Sequence, residues 1–285
     1  YIGANNNNIK DILECDPQTV CGVKVFMGSS TGSLLVDDLK SLESIFKNSQ
    51  LMIVTHCEDE KTIKANLALY YEKYKKNIPF EDHHIIRSAD ACYKSSSLAC
   101  ELADKYNSQL HVLHITTKKE LSLFNSSEEI KQKNITAEVC PQHLWFSNLD
   151  YEQHQGFIKC NPAIKTTADR SALLHGLESG QLDIIGSDHA PHTLLEKKND
   201  YYSCPSGIPI VGHSLLIMLE MYHQGKISLE TIVKKMAHNV ADRYQISKRG
   251  YIKEGYYADL VLIDLSASKN LINNKYKCSW SPFDN

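Results

Sequence analysis

The 285-residue sequence contains no C-x-x-C pair, no G-x-G-x-x-G or Walker-type glycine loop, and no block of like charge. The first absence argues against a thioredoxin-like redox site or a zinc ribbon. The second removes the fingerprint of a dinucleotide- or nucleotide-binding fold. Lys and Arg number 31 against 34 Asp and Glu, a formal charge of −3, which offers little to nucleic acid or an acidic membrane. No apolar run nears the roughly 18 residues of a membrane span, and no signal-peptide pattern opens the chain. The nine cysteines are odd in number and scattered, so they read as reduced. Cys21, Cys92, Cys100 and Cys140 sit in apolar stretches, where a free thiol behaves as a small core residue. A cytoplasmic protein is expected.

Apolar residues make up 42% of the chain, enough for a sizeable core. At about 150 residues per domain, the length allows two units or one large α/β barrel. Short apolar runs predict strands at 1–4, 20–27, 51–55, 110–115, 135–139 and 183–186. Helical patterns fall at about 37–47, 59–75, 85–106, 118–124 and 167–179, and after the last strand at 211–224 and 229–244. Strands separated by helices of this length need right-handed crossovers, and so a parallel sheet. Polar groups recur at or just past strand ends, as in a (β/α)₈ TIM-type barrel, whose chemistry sits at the C-terminal face. From about residue 248 the character changes to a turn and an alternating β run. Residues 1–247 are therefore expected to form the barrel and 248–285 part of a small β unit.

The strand ends carry the chemistry. Lys24 lies within Val23-Lys-Val-Phe-Met, where a buried amine is costly unless paired or neutralised. Taken alone it could snorkel to an edge. His56 directly follows Leu-Met-Ile-Val-Thr, and alone it fits a hydrogen-bonded core histidine. His111 and His114 share one strand at an odd separation, so they are expected on opposite faces, with His114 entering the mouth and His111 structural. Asp188 ends Asp-Ile-Ile-Gly-Ser-Asp and alone would suit a turn or cap. His189 and His192 follow on the next loop, while Asn161 and Pro141-Gln142-His143 add polar groups at the same level. Together, lysine, imidazole and carboxylate at the ends of four strands have the composition of a metal site, and neutral imidazole with anionic oxygen suits zinc.

At these residues the sequence resembles a known family. Val23-Lys24-Val-Phe-Met-Gly-Ser-Ser-Thr-Gly, Thr55-His56-Cys-Glu-Asp, His111-Val-Leu-His114-Ile-Thr-Thr, Cys140-Pro-Gln-His143-Leu and Ser187-Asp188-His-Ala-Pro-His192 are similar to motifs of the amidohydrolase superfamily. More narrowly they resemble bacterial class I dihydroorotases, over nearly the whole chain. The resemblance implies two zinc ions per site, bridged by hydroxide and by Lys24 carrying CO₂ as a carbamate. It implies that His56 and His114 hold the second zinc, and that Asp188 binds the first and shuttles the proton. Asn161, His192 and the backbone of Gly207-Ile-Pro209 would contact substrate. Family members also carry a small β-sandwich built from both chain ends, which fits the tail. The implied reaction is reversible hydrolysis of L-dihydroorotate to N-carbamoyl-L-aspartate in pyrimidine biosynthesis. The implied assembly is a homodimer, with aspartate transcarbamoylase as a partner enzyme.

One family feature is missing. The family opens with His-x-His followed by an Arg, and no His-x-His occurs here. Only six strands are counted where a barrel needs eight, so the two others, and that pair, are expected to precede Tyr1. Allantoinases and dihydropyrimidinases (hydantoinases) are rivals with the same metals and mechanism. Dihydropyrimidinases place Met-Ala-Tyr where this chain has Met27-Gly28-Ser29, and both rivals place Pro-His-Tyr where it has Pro141-Gln142-His143. A non-catalytic homologue serving as an assembly subunit is the reading from another class; such proteins usually lose metal ligands.

Overall fold

Among the described residues six parallel strands follow the chain in order: β1 (Ile2–Gly3), β2 (Val23–Phe26), β3 (Ile53–His56), β4 (Leu110–Val112), β5 (Ile135–Val139) and β6 (Ile184–Ile185). Each pairs with the next, so the sheet reads β1-β2-β3-β4-β5-β6. The computed structural model describes residues 1–28, 34–36, 38–126, 129–267 and 276–284. Ser29 of the Met27-Gly28-Ser29 comparison lies outside the described residues, as does Asp37, the first residue of an expected helix. Consecutive order with helical crossovers is the α/β pattern of a TIM-type barrel.

The register explains the burial. Lys24, Val54, His111 and Thr136 lie in line across β2 to β5, and register partners in a parallel sheet share a face. Their neighbours Val23, Val25, Ile53, Val112, Ala137 and Val139 are fully buried on the opposite face. The helices pack there, led by Leu39–Asn48, Ala89–Tyr106 and Thr167–Ser179. The helix expected over 167–179 starts where sequence places it, whereas the one expected over 85–106 is split at Arg87–Ser88 and begins at Ala89. Asp38, Asp59, Ser88 and Thr166 each accept a backbone N–H of the first turn, satisfying donors that have no partner within the helix. Each large apolar side chain taken fully from water, such as Phe46, Ile53 or Leu110, contributes about 1.5–3 kcal/mol.

At the N-terminal ends of the strands, charged side chains hold backbone carbonyls. Arg243 donates to the carbonyls of Leu110, Lys133 and Asn134. The predicted helix over 229–244 contains a π turn at Lys234–His238, so that Lys235 and Asn239 both reach the start of β6, at the Leu182 and Asp183 carbonyls. Lys133 and Asp183 form an ion pair at 2.7 Å with side chains 2% and 4% exposed, and Asp183 also accepts the Ala137 N–H at 2.9 Å. Asp183→Ala would leave the Lys133 ammonium buried without its counter-ion, an expected loss of about 3 kcal/mol. Urea unfolding checks this; a loss below about 1 kcal/mol would mean that the amine reaches water.

Three expectations are corrected. All nine cysteines are free, but Cys21 is exposed, because it precedes β2 in the connecting loop and not in the core. His111 and His114 do not face opposite ways. The strand stops at Val112, and His114 then takes a left-handed backbone (φ +39°), which breaks the two-residue alternation. The alternating run after residue 248 forms no strand among the described residues. Instead Ile252, Leu260, Val261 and Leu262 are 90%, 64%, 73% and 100% exposed. An alternating pattern makes a strand only where a neighbour supplies backbone partners, and none of the described residues does so. Residues 268–275 and 285 of that tail lie outside the described residues. Among the described residues no helix is long and apolar enough to cross a membrane.

Candidate metal centre and substrate mouth

His56 closes β3 on the same face as Lys24, and His114 follows the end of β4, the adjacent strand. His56 Nδ1 and His114 Nε2 lie 3.1 Å apart, both rings buried. His56 Nε2 lies 2.9 Å from Glu58, which also accepts a hydrogen bond from Arg87. Glu58 is fully buried. Burial alone would raise its carboxyl, but the Arg87 guanidinium and the His56 contact overcome this and hold it low. An ionised Glu58 accepts from His56 Nε2, and the tautomer that makes this bond turns its Nδ1 lone pair toward His114. Burial drives His114 well below its ordinary value, with the charges of His56, Lys24 and His143 acting the same way. The result is a neutral imidazole, the form that binds a metal.

Lys24 and Asp188 belong to the same electrostatic neighbourhood. Burial lowers the Lys24 amine, while Asp188 and then Glu138 pull it back up. Burial raises the Asp188 carboxyl, Glu138 adds to the rise, and His56 and Lys24 oppose it. Asp188, like His114, holds a positive φ (+47°), an uncommon conformation for a residue with a side chain. Left-handed residues cluster at functional sites, and two of the four expected metal ligands have this geometry.

Glu58 and Glu138 were not singled out from sequence. Glu58 stands two residues past His56, the spacing that returns to one face of a strand. Glu138 alternates with Thr136 on the face of His111. Its carboxyl occupies the space beside Gly186, where a Cβ would come within 2.3 Å of it. One layer below the pair, His111 donates to or accepts from Thr136 Oγ1 at 2.8 Å, and its Nε2 is 3.7 Å from Glu138.

The remaining expected residues gather on neighbouring loops. His192 Nε2 meets the Ser206 carbonyl at 3.2 Å, and a Cβ on Gly207 would come within 2.9 Å of the His192 ring. Asn161 keeps a buried Oδ1 without a partner among the described residues. Residues 189 and 208 pair through their backbones, which places Gly207–Pro209 alongside the loop after Asp188. Burial pushes the Cys57 thiol up to about 11 and Cys160 to about 12, so neither is a nucleophile at neutral pH.

The imidazole pair suits a metal ion, as two convergent ring nitrogens with one ring pushed neutral. No group of three His, Cys, Asp or Glu side chains that could hold a metal occurs among the described residues. A lysine amine is not counted in such a group; it becomes an anionic oxygen donor only as a carbamate.

Residues 35–283 match the family described as Amidohydrolase family. A dihydroorotase of Methanosphaera stadtmanae is 31% identical over 283 residues, spanning 97% of this chain and 63% of that protein. A dihydroorotase of Carboxydothermus hydrogenoformans is 33% identical over 238 residues, spanning 80% of this chain and 53% of the relative. Among solved structures, an L-hydantoinase (dihydropyrimidinase) of Arthrobacter aurescens superposes with a TM-score of 0.87 at 23% identity, covering 98% of this chain and 64% of that one. At that identity the likeness speaks for the fold. The chain spans less than two thirds of the length of each of these relatives.

Proposed function

Since the chain belongs to the amidohydrolase family, we propose that it carries most of the catalytic barrel of a dihydroorotase, hydrolysing L-dihydroorotate reversibly to N-carbamoyl-L-aspartate in pyrimidine biosynthesis. The observation that carries this reading is the buried meeting of His56 Nδ1 and His114 Nε2 at 3.1 Å beside Lys24 and Asp188. The curated relatives supply the substrate class.

His56 and His114 would hold one zinc ion, and Asp188 and a Lys24 carbamate would complete a two-zinc site. When bound, such ions polarise a carbonyl and bring a water to a pKa near 7. The chain's own residues do the rest. Burial lowers the Lys24 amine, and CO₂ adds to the neutral amine, with loss of a proton, to give the carbamate. Asp188, raised by burial, takes the proton of the attacking water and delivers it to the departing ring nitrogen. His192, Asn161 and the Gly207–Pro209 backbone hold the ring and its carboxylate from the loops above. The small β-sandwich at 248–285, a homodimer, an aspartate transcarbamoylase partner and a cytoplasmic location belong to the same proposal.

The test is loss of the ultraviolet absorbance of L-dihydroorotate on zinc-loaded full chain, with allantoin and hydantoin in parallel. Turnover of dihydroorotate alone is the expected result. Turnover of hydantoin or allantoin instead would reassign the substrate, and failure on all three would favour a non-catalytic homologue.

A further inference from the structure

Lys197, at the end of the short helix Leu194–Lys197, is 1% exposed. Burial lowers its amine to about 8, opposed by Cys204 and Cys160, so it still carries its proton at neutral pH. A protonated lysine offers three N–H donors. Three backbone carbonyls accept them: Lys159 at 3.1 Å, Pro205 at 2.8 Å and Gly207 at 3.0 Å. The Trp280 ring lies 5.7 Å away, and its Nε1–H donates to the His192 carbonyl at 2.7 Å.

Those three carbonyls belong to the two stretches that would touch substrate. Lys159 stands two residues before Asn161. Pro205 and Gly207 open the segment through Pro209, and the Gly207 N–H returns a bond to the Lys159 carbonyl at 2.9 Å. That segment is in turn tied to the loop after Asp188. Ala190 N–H donates to the Ile208 carbonyl at 3.1 Å, and His189 Nδ1 accepts from the backbones of Ile210 and Val211. Gly207 sits at φ +154°, with the Ala190 carbonyl only 2.4 Å from where a Cβ would be, so the two segments meet too closely for any side chain at 207. Lys159 repeats the device one step outward, donating to the Tyr201 and Cys204 carbonyls at 2.5 and 2.6 Å.

We propose that Lys197 is a positioning residue, an internal cation coordinated by three carbonyls, which fixes Asn161 and Gly207–Pro209 at the spacing a cyclic substrate needs. It acts on how tightly the ring is held and not on the chemical step. This rests on the dihydroorotate reading, in which those segments face the substrate.

The test compares wild type with Lys197→Met and Lys197→Arg, each as full chain. K197M is expected to raise KM for L-dihydroorotate about tenfold or more with kcat within about threefold, the signature of lost uniform binding. K197R, which restores charge and donors, is expected to recover most of the loss. Hydrogen exchange read by mass spectrometry on wild type and K197M is the second readout. Amides over 203–211 should exchange at least about tenfold faster in K197M, while the helix Thr167–Ser179 stays unchanged. Unchanged KM with unchanged exchange would overturn the proposal, as would a kcat falling as far as kcat/KM. If wild type turns over no dihydroorotate, the functional reading fails while the exchange comparison still decides the clamp. Should K197M not fold, Lys197→Gln, which keeps two donors, takes its place under the same criteria.

Discussion

Asp188→Asn is expected to lower dihydroorotate ring opening by about 10³-fold while leaving the fold and substrate binding in place, the range lost with a positioned proton carrier. The substitution isolates the carboxylate unusually well. Asp188 holds φ at +47°, and Asn is among the few side chains enriched in that region, so the loop is not strained by the change. The two side chains are also nearly the same in shape. What is removed is the ability to take and return a proton, together with one anionic oxygen of the proposed metal site, so zinc content per chain is measured beside turnover to separate the two. Burial and Glu138 both raise the Asp188 carboxyl, which favours proton uptake, while His56 and Lys24 act the other way. Steady-state turnover, a substrate-binding isotherm and a thermal melt check the expectation. A kcat within about tenfold of wild type, with an unaltered pH–rate profile, would remove Asp188 from the shuttle role.

The parallel sheet is legible in the sequence because strands and helices follow local pattern, and the same pattern sets His56 and Asp188 at strand ends, while a metal role for them rests on the family resemblance. His56 ends an apolar run and the structure ends a strand there; Asp188 does the same three residues past β6. The misread parts depend on partners that local pattern does not name. The run at 256–264 has the alternation of a strand, but a strand exists only where another chain segment offers hydrogen bonds. His111 and His114 look like opposite faces because the strand is taken to continue, and whether it continues past Val112 is decided by the left-handed turn at His114. Glu58 became visible only when the fold brought Arg87, 29 positions away, onto its carboxylate. Lys197 is not singled out by the sequence. Its three carbonyl partners come from two loops that meet only in the folded chain.

Lys24→Ala is expected to abolish metal-dependent turnover while the fold remains, because the amine makes no hydrogen bond or ion pair among the described residues that the sheet needs. Its contacts are electrostatic, to Asp188 and Glu138, together with the Phe26 ring, 4.6 Å from the amine nitrogen. Burying an amine costs free energy unless it is fully paired, so its removal should leave the melting temperature unchanged or slightly higher. The chemistry is another matter. His56 and His114 supply two ring nitrogens, and no third His, Cys, Asp or Glu joins them in a metal-holding group among the described residues. On the proposed reading a second anionic donor beside Asp188 comes from Lys24 after CO₂ adds to its amine, and alanine cannot provide it. Zinc content per chain should therefore fall in the variant along with turnover. Wild type equilibrated with ¹³C-bicarbonate should show a carbamate carbon by NMR that the variant lacks. A variant that keeps its zinc and near-normal turnover would show that the site is completed by some other group, with Glu138, on the same face and one layer nearer the mouth than Lys24, the first to examine.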